Sequence, residues 1–122
     1  MKRLLIVDDQ PALGEIVRRT AEGLEYEVLV TTHAEEFMAE YENFGPTAIV
    51  LDIVMPDIDG IELVDWLVER NCSASILVAS GYNERYAKMA KSLGAAKGLE
   101  IMFLEKPFRV AELRDALASM DR

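Results

Sequence analysis

The residues of this 122-residue chain best suited to chemistry are three aspartates, a serine and a lysine. Asp8 and Asp9 stand side by side directly after the apolar run "LLIV", Asp52 follows "AIVL", Ser80 follows "ILVA", and Lys106 comes just after "IMFLE". Two carboxylates about 4 Å apart repel by roughly 4 kcal/mol at an effective dielectric near 20. Neighbouring acids at the end of a buried run therefore either point separately into water or share something positive. Each residue also has an ordinary reading: Asp8 or Asp9 as a helix cap, Ser80 as a turn residue, Lys106 as a solvated charge.

The elements that must position them follow from periodicity. Continuous Val, Ile and Leu-rich runs at 3–7, 27–31, 47–51, 75–79 and 101–104 have the pattern of strands buried on both faces. Helical spacing fills the intervals 12–24, 34–43, 60–70, 83–94 and 109–120, with Pro11 near the first start and Gly94 at the fourth end. Five strands alternating with five helices predict an α/β fold with a doubly wound parallel sheet. Such sheets bind ligands at the carboxyl ends of their strands, beside the point where strand order reverses. Asp8 and Asp9, Asp52, Ser80 and Lys106 fall at four of those ends, whereas the second strand ends in Thr31 and Thr32, with nothing chemically pointed. Helix capping alone is a poor explanation for all of them at one edge. Asp9 and Asp52, with Asp8 behind, make a hard oxygen-ligand set suited to Mg²⁺, and the cation turns mutual repulsion into attraction.

Composition narrows the field. A chain of this length predicts a single domain spanning 1–122, able to bury about two-thirds of its unfolded surface. The formal charge of −9, with basic residues scattered, argues against direct nucleic-acid binding. The apolar runs are far shorter than the roughly 20 residues of a membrane span. The N-terminal stretch is too short and too acidic for a signal peptide, so a cytoplasmic location is expected. Cys72 has no partner for a disulfide or a CxxC zinc site and reads as filler at a helix end. The lone His33 reads as a helix-start or surface residue. Neither GxxxxGK[ST] nor GxGxxG is present, and "DDQPALG" lacks the loop that cradles a flavin phosphate.

Four stretches together, "VDDQP" at 7–11, "LDIVMPDIDGIEL" at 51–63, "ASGY" at 79–82 and "EKPF" at 105–108, resemble the receiver domain of bacterial two-component response regulators, over essentially the whole chain. The resemblance implies a flavodoxin-like, five-stranded sheet in the order 2-1-3-4-5, as in chemotaxis receivers. It implies that Asp52 is the phospho-acceptor, taking a phosphoryl group from a sensor histidine kinase or a histidine phosphotransfer protein. Mg²⁺ would be held by Asp9 and Asp52, by Asp8 through water, and by the backbone carbonyl of Val54. Lys106 would pair with one phosphoryl oxygen and Ser80 would hydrogen-bond to another and shift towards it. The Lys106–Pro107 peptide would be cis. Phe103, three residues before the lysine, would turn inward as Ser80 moves; its ordinary reading is packing at the end of strand five. Val54 and Tyr82, each two residues after a site residue, stand where the family tunes hydrolysis of the aspartyl phosphate.

On this reading the chain is not an enzyme in the ordinary sense, catalysing only its own phosphorylation and dephosphorylation. Output would pass through the surface of the predicted helix at 83–94, the fifth strand and the last helix to an unidentified partner or output domain, and homodimerisation through the last helices stays open. The segment "GAAKGLEIMF" before the fifth strand is longer than the compact turn usual in the family. A magnesium-dependent phosphatase of the haloacid dehalogenase kind fits less well, because its DxD pair belongs on the first strand. The rival of another class is a receiver-like protein-binding module that signals without phosphorylation. The intact set of Asp8, Asp9, Asp52, Ser80 and Lys106 speaks against it.

Overall fold

The computed structural model describes residues 2–52, 60–80, 88, 92, 98 and 100–120. Within them the chain alternates as expected: β1 (Arg3–Val7), α1 (Pro11–Glu22), β2 (Glu27–Thr31), α2 (Ala34–Phe44), β3 (Ala48–Asp52), α3 (Gly60–Glu69), β4 (Ser75–Ser80), β5 (Ile101–Glu105) and α4 (Val110–Ser119). The five strands form one parallel sheet in the order β2-β1-β3-β4-β5. The predicted helix at 83–94 lies mostly outside the described residues; Lys88 and Ser92, which are described, are both helical.

The continuous apolar strands are explained by two cores, one on each side of the sheet. On one face, Leu5, Val7, Ile49, Leu51, Ile76 and Val78 pack against Phe37 of α2 and Leu63, Val64 and Leu67 of α3. On the other, Leu4, Ile6, Val50 and Leu77 meet Val17 and Ala21 of α1 and Leu113 and Leu117 of α4. Successive side chains of a strand point to opposite faces, so a strand covered on both sides must be apolar throughout. The outer strands β2 and β5 are only half-buried over most of their length.

Local chemistry sets the ends of the helices. Pro11 occupies the first turn of α1, where its missing N–H costs nothing. The helix stops at Glu22, two residues before the predicted end, because Leu24 and Tyr26 both bond back to the Ala21 carbonyl and turn the chain into β2. Gly14 lets α1 lie close to the sheet; a Cβ there would stand 3.0 Å from Val30 Cγ1. Helix α2 ends at Gly45 in the left-handed conformation, φ +62°, which favours glycine. The exposed His33 precedes α2 at its N-cap, the helix-start position expected for it. In α4 the Arg109 N–H donates to Glu112 Oε1 at 2.9 Å, satisfying one of the helix's early donors.

Between α2 and α3 lies a ring cluster that periodicity did not foretell. Phe37 and Tyr41 meet Trp66 edge-on, with centroids 6.4 and 5.4 Å apart, and the Arg70 guanidinium lies 3.7 Å above the Trp66 ring. Burial, and next the neighbouring Cys72 side chain, push the Tyr41 phenol above its ordinary range. Cys72 itself is buried just past α3, in the filler role expected for it. Phe37→Ala empties a fully buried site in this cluster. It is expected to cost about 3–5 kcal/mol in urea unfolding, and to weaken the near-ultraviolet circular dichroism of Trp66.

Candidate functional site

Strand order reverses around β1 and β3, and the site residues gather at the carboxyl ends of these strands. Asp8 follows β1 directly, Asp52 is the last residue of β3, and Lys106 follows β5. Asp8 and Asp52 are 4% and 6% exposed, whereas Asp9 faces solvent. Carboxylate oxygens of Asp8, Asp9 and Asp52 lie within 4.8 Å of one another. Lys106 Nζ donates to Asp8 Oδ2 at 3.1 Å and stands 3.5 Å from Asp52 Oδ2. The other oxygen of Asp8, Oδ1, accepts the Gln10 N–H at 2.9 Å. Asp8 thus holds the chain where it enters α1 but is not the helix cap its ordinary reading asks for, since the N-cap is Gln10, which has no side-chain cap bond.

The electrostatics follow directly. Among the described residues, three carboxylates face one ammonium, so this set remains anionic after Lys106 has partly neutralised it. The donors are hard carboxylate oxygens close enough to share one small divalent cation, with water completing its shell, which suits Mg²⁺. Asp8 and Asp9 thus converge with Asp52 and do not point apart into water, as the first of the two sequence alternatives would have it.

Other expected residues are placed unequally. The Lys106–Pro107 peptide is cis. Ser80 completes β4 opposite Glu105 in register; its side chain, like Val54 and Tyr82, lies outside what is described. Phe103 is half-buried, pairs with Val78 in register and packs on the core shared with α2 and α3, consistent with its ordinary reading. Two features were not foreseen. The end of β2 contributes Thr31, 1% exposed, whose carbonyl accepts the Asp8 N–H at 3.2 Å. A cleft of about 450 Å³ also opens beside Lys106, lined by Gln10, Leu13, Ile16, Pro107, Phe108 and Val110. Ile16 and Val110 are large apolar residues left 42% and 47% exposed.

Residues 4–118 match the family model of the response regulator receiver domain. The chain belongs to this family. As a receiver domain it resembles the transcriptional regulatory protein TrcR of Mycobacterium tuberculosis, at 32% identity over 91% of the chain and 42% of TrcR. It thus spans less than half of that relative's length. It is also 31% identical to the chemotaxis protein CheY of Halobacterium salinarum, over 98% of the chain and 96% of CheY. Among solved structures, the chemotaxis protein CheY4 of Vibrio cholerae superposes with a TM-score of 0.84 at 25% identity, covering 98% of both chains. The receiver domain is a phospho-acceptor signalling module of two-component systems and not an enzyme in the ordinary sense. Among its described residues, no helix is long and apolar enough to cross a membrane.

The anionic excess makes two substitutions act in opposite directions. Without divalent cation, Asp9→Asn relieves repulsion and is expected to raise the melting temperature by roughly 2–5 °C, on the scale of a small surface gain. It should also reduce the further rise produced by Mg²⁺. Lys106→Met leaves two buried carboxylates without their ammonium and is expected to lower stability by about 1.5–3 kcal/mol in chelator. Thermal melting reads the first effect and urea unfolding the second, each with and without Mg²⁺.

Proposed function

We propose that residues 1–122 act as one receiver domain in which Asp52 accepts a phosphoryl group in a Mg²⁺-dependent reaction. The observation that carries this reading is the Lys106 ammonium set against Asp8 and Asp52, with the three carboxylates converging at the same strand ends. An oxygen of the Asp52 carboxylate attacks phosphorus, the new P–O bond makes an acyl phosphate, and the bond to the donor nitrogen breaks. The donor imidazole leaves with a proton in place of the phosphoryl group. Such transfer demands positioning and charge neutralisation more than covalent machinery. Bound Mg²⁺ supplies a Lewis acid that neutralises charge without a proton to manage. Asp9 and Asp52 would hold it directly, Asp8 through water, and the Val54 carbonyl would add a ligand. Lys106 exchanges part of its contact with the carboxylates for a phosphoryl oxygen, and the Ser80 hydroxyl takes another. The same site returns the aspartyl phosphate to water.

The donor is a sensor histidine kinase or a histidine phosphotransfer protein, and the site of action is the cytoplasm. The half-exposed Ile16 and Val110, bordering the cleft beside Lys106, support a donor that brings an apolar surface to the site. The added charge of about −1.5 to −2 draws Ser80 and Lys106 towards Asp52. Phe103 follows, and the surface of the 83–94 segment, β5 and α4 changes for an output partner, an output domain or a second copy of the chain. Charge-assisted hydrogen bonds contribute roughly 1.5–3 kcal/mol each. A full reversal from 1:99 to 99:1 requires about 5.5 kcal/mol, so the expected response is a partial shift in population.

Intact-protein mass after incubation with acetyl phosphate and Mg²⁺ tests the reading. One phosphoryl group should be gained by the native chain and lost in Asp52→Asn and with chelator present. A folded, Mg²⁺-binding chain that gains no mass would instead be a binding module working without phosphorylation.

A further inference from the structure

Thr31 closes β2 and is 1% exposed. A hydroxyl at that depth requires a partner, and it donates to the Ile6 carbonyl at 2.6 Å. The Thr31 carbonyl accepts the Asp8 N–H at 3.2 Å. These two bonds grip β1 on either side of Val7, the residue paired with Thr31 in register. Beyond this point β1 leaves the sheet and Asp8 begins the turn into α1, so no later rung from β2 steadies it.

Strand pairing accounts for the main-chain bond but not for the hydroxyl. Valine has nearly the same shape, suits a strand at least as well, and needs no partner when buried. What the hydroxyl adds is a second tie between β2 and the end of β1, two residues before a buried carboxylate. That carboxylate has both oxygens committed, Oδ1 to the Gln10 N–H and Oδ2 to Lys106. A small rotation at Ile6–Asp8 would disturb both contacts and the approach to Asp52.

We propose that Thr31 is a positioning residue of the site: its hydroxyl bond to Ile6 fixes the backbone of Asp8, and through it the carboxylate that meets Lys106 and the cation. The proposal rests on the reading of Asp8, Asp9 and Asp52 as a divalent-cation site. Groups that orient metal ligands typically change metal affinity by about 10- to 100-fold when removed. Thr31 acts through the main chain, so the lower end is expected.

The test uses Mn²⁺ as the probe, with free ion counted by electron paramagnetic resonance on the whole chain and on Thr31→Val and Thr31→Ser. Thr31→Val should bind Mn²⁺ about tenfold more weakly, while Thr31→Ser, which keeps the hydroxyl, should bind like the native chain. Melting temperatures in chelator separate the roles, since a purely structural hydroxyl lowers the melting temperature of Thr31→Val and leaves Mn²⁺ affinity alone. That outcome overturns the proposal, as does a Thr31→Ser variant as weak as Thr31→Val. Should the native chain bind no Mn²⁺, the cation reading fails, and the Gln10 amide resonance in metal-free protein then decides. It reports the Asp8 carboxylate directly and should shift in Thr31→Val but not in Thr31→Ser; an unmoved resonance overturns the positioning role.

Discussion

The constraint on which this structure turns is a single ammonium placed against two buried carboxylates. Lys106 reaches Asp8 at 3.1 Å and Asp52 at 3.5 Å from the far end of the sheet. Ions at this depth lose hydration, and they persist only where geometry and further hydrogen bonds compensate them. The compensation is built in: Asp8 is also bonded by the Gln10 amide, while its backbone is tied to β2. The sheet makes this possible by holding the ends of three non-adjacent stretches of chain in fixed register. The two cores, one on each face, give those strand ends a rigid base.

The same arrangement sets stability against reactivity. Fully buried strands and the Phe37, Tyr41 and Trp66 cluster supply apolar burial. The acids at the functional edge carry more charge than Lys106 offsets, which works against stability. Close packing of α1 through Gly14 brings the helix start, and with it Gln10, to a defined place beside Asp8. Charges elsewhere on α1 are engaged within the helix, Arg18 with Glu15 and Glu22, and Arg19 with Glu15. That leaves the apolar Ile16 and Leu13 to characterise the cleft beside the site.

Much of this was legible in the sequence, for a physical reason. Strands covered on both faces must be apolar without interruption, so "LLIV", "AIVL" and "ILVA" mark themselves, and the polar residue that ends each run marks the functional edge. Asp8, Asp9, Asp52 and Lys106 were found this way, and the four motifs fixed their assignment to a family. Thr31 was passed over because threonine is ordinary at the end of a strand. What distinguishes it is the carbonyl its hydroxyl reaches on the next strand, and no spacing along the chain encodes that. The ring cluster was missed for a related reason: each aromatic fits its own helical period, but their meeting depends on how α2 lies beside α3. The end of α1 was overrun because Leu24 keeps the apolar rhythm after the helix has already turned.

The position of β5 in the sheet has a consequence of its own. Among the described strands it hydrogen-bonds to β4 alone and forms one border of the sheet, whereas the strands leading to Asp8 and Asp52 are interior. A border strand is laddered on one side only, so fewer main-chain bonds hold it. Displacing β5 would withdraw the counter-charge and leave the acids facing one another, while their own strands stayed paired on both sides. The charge balance of this corner is therefore divided between strands of unequal anchorage, the acids on strands paired on both sides and the ammonium after a strand paired on one.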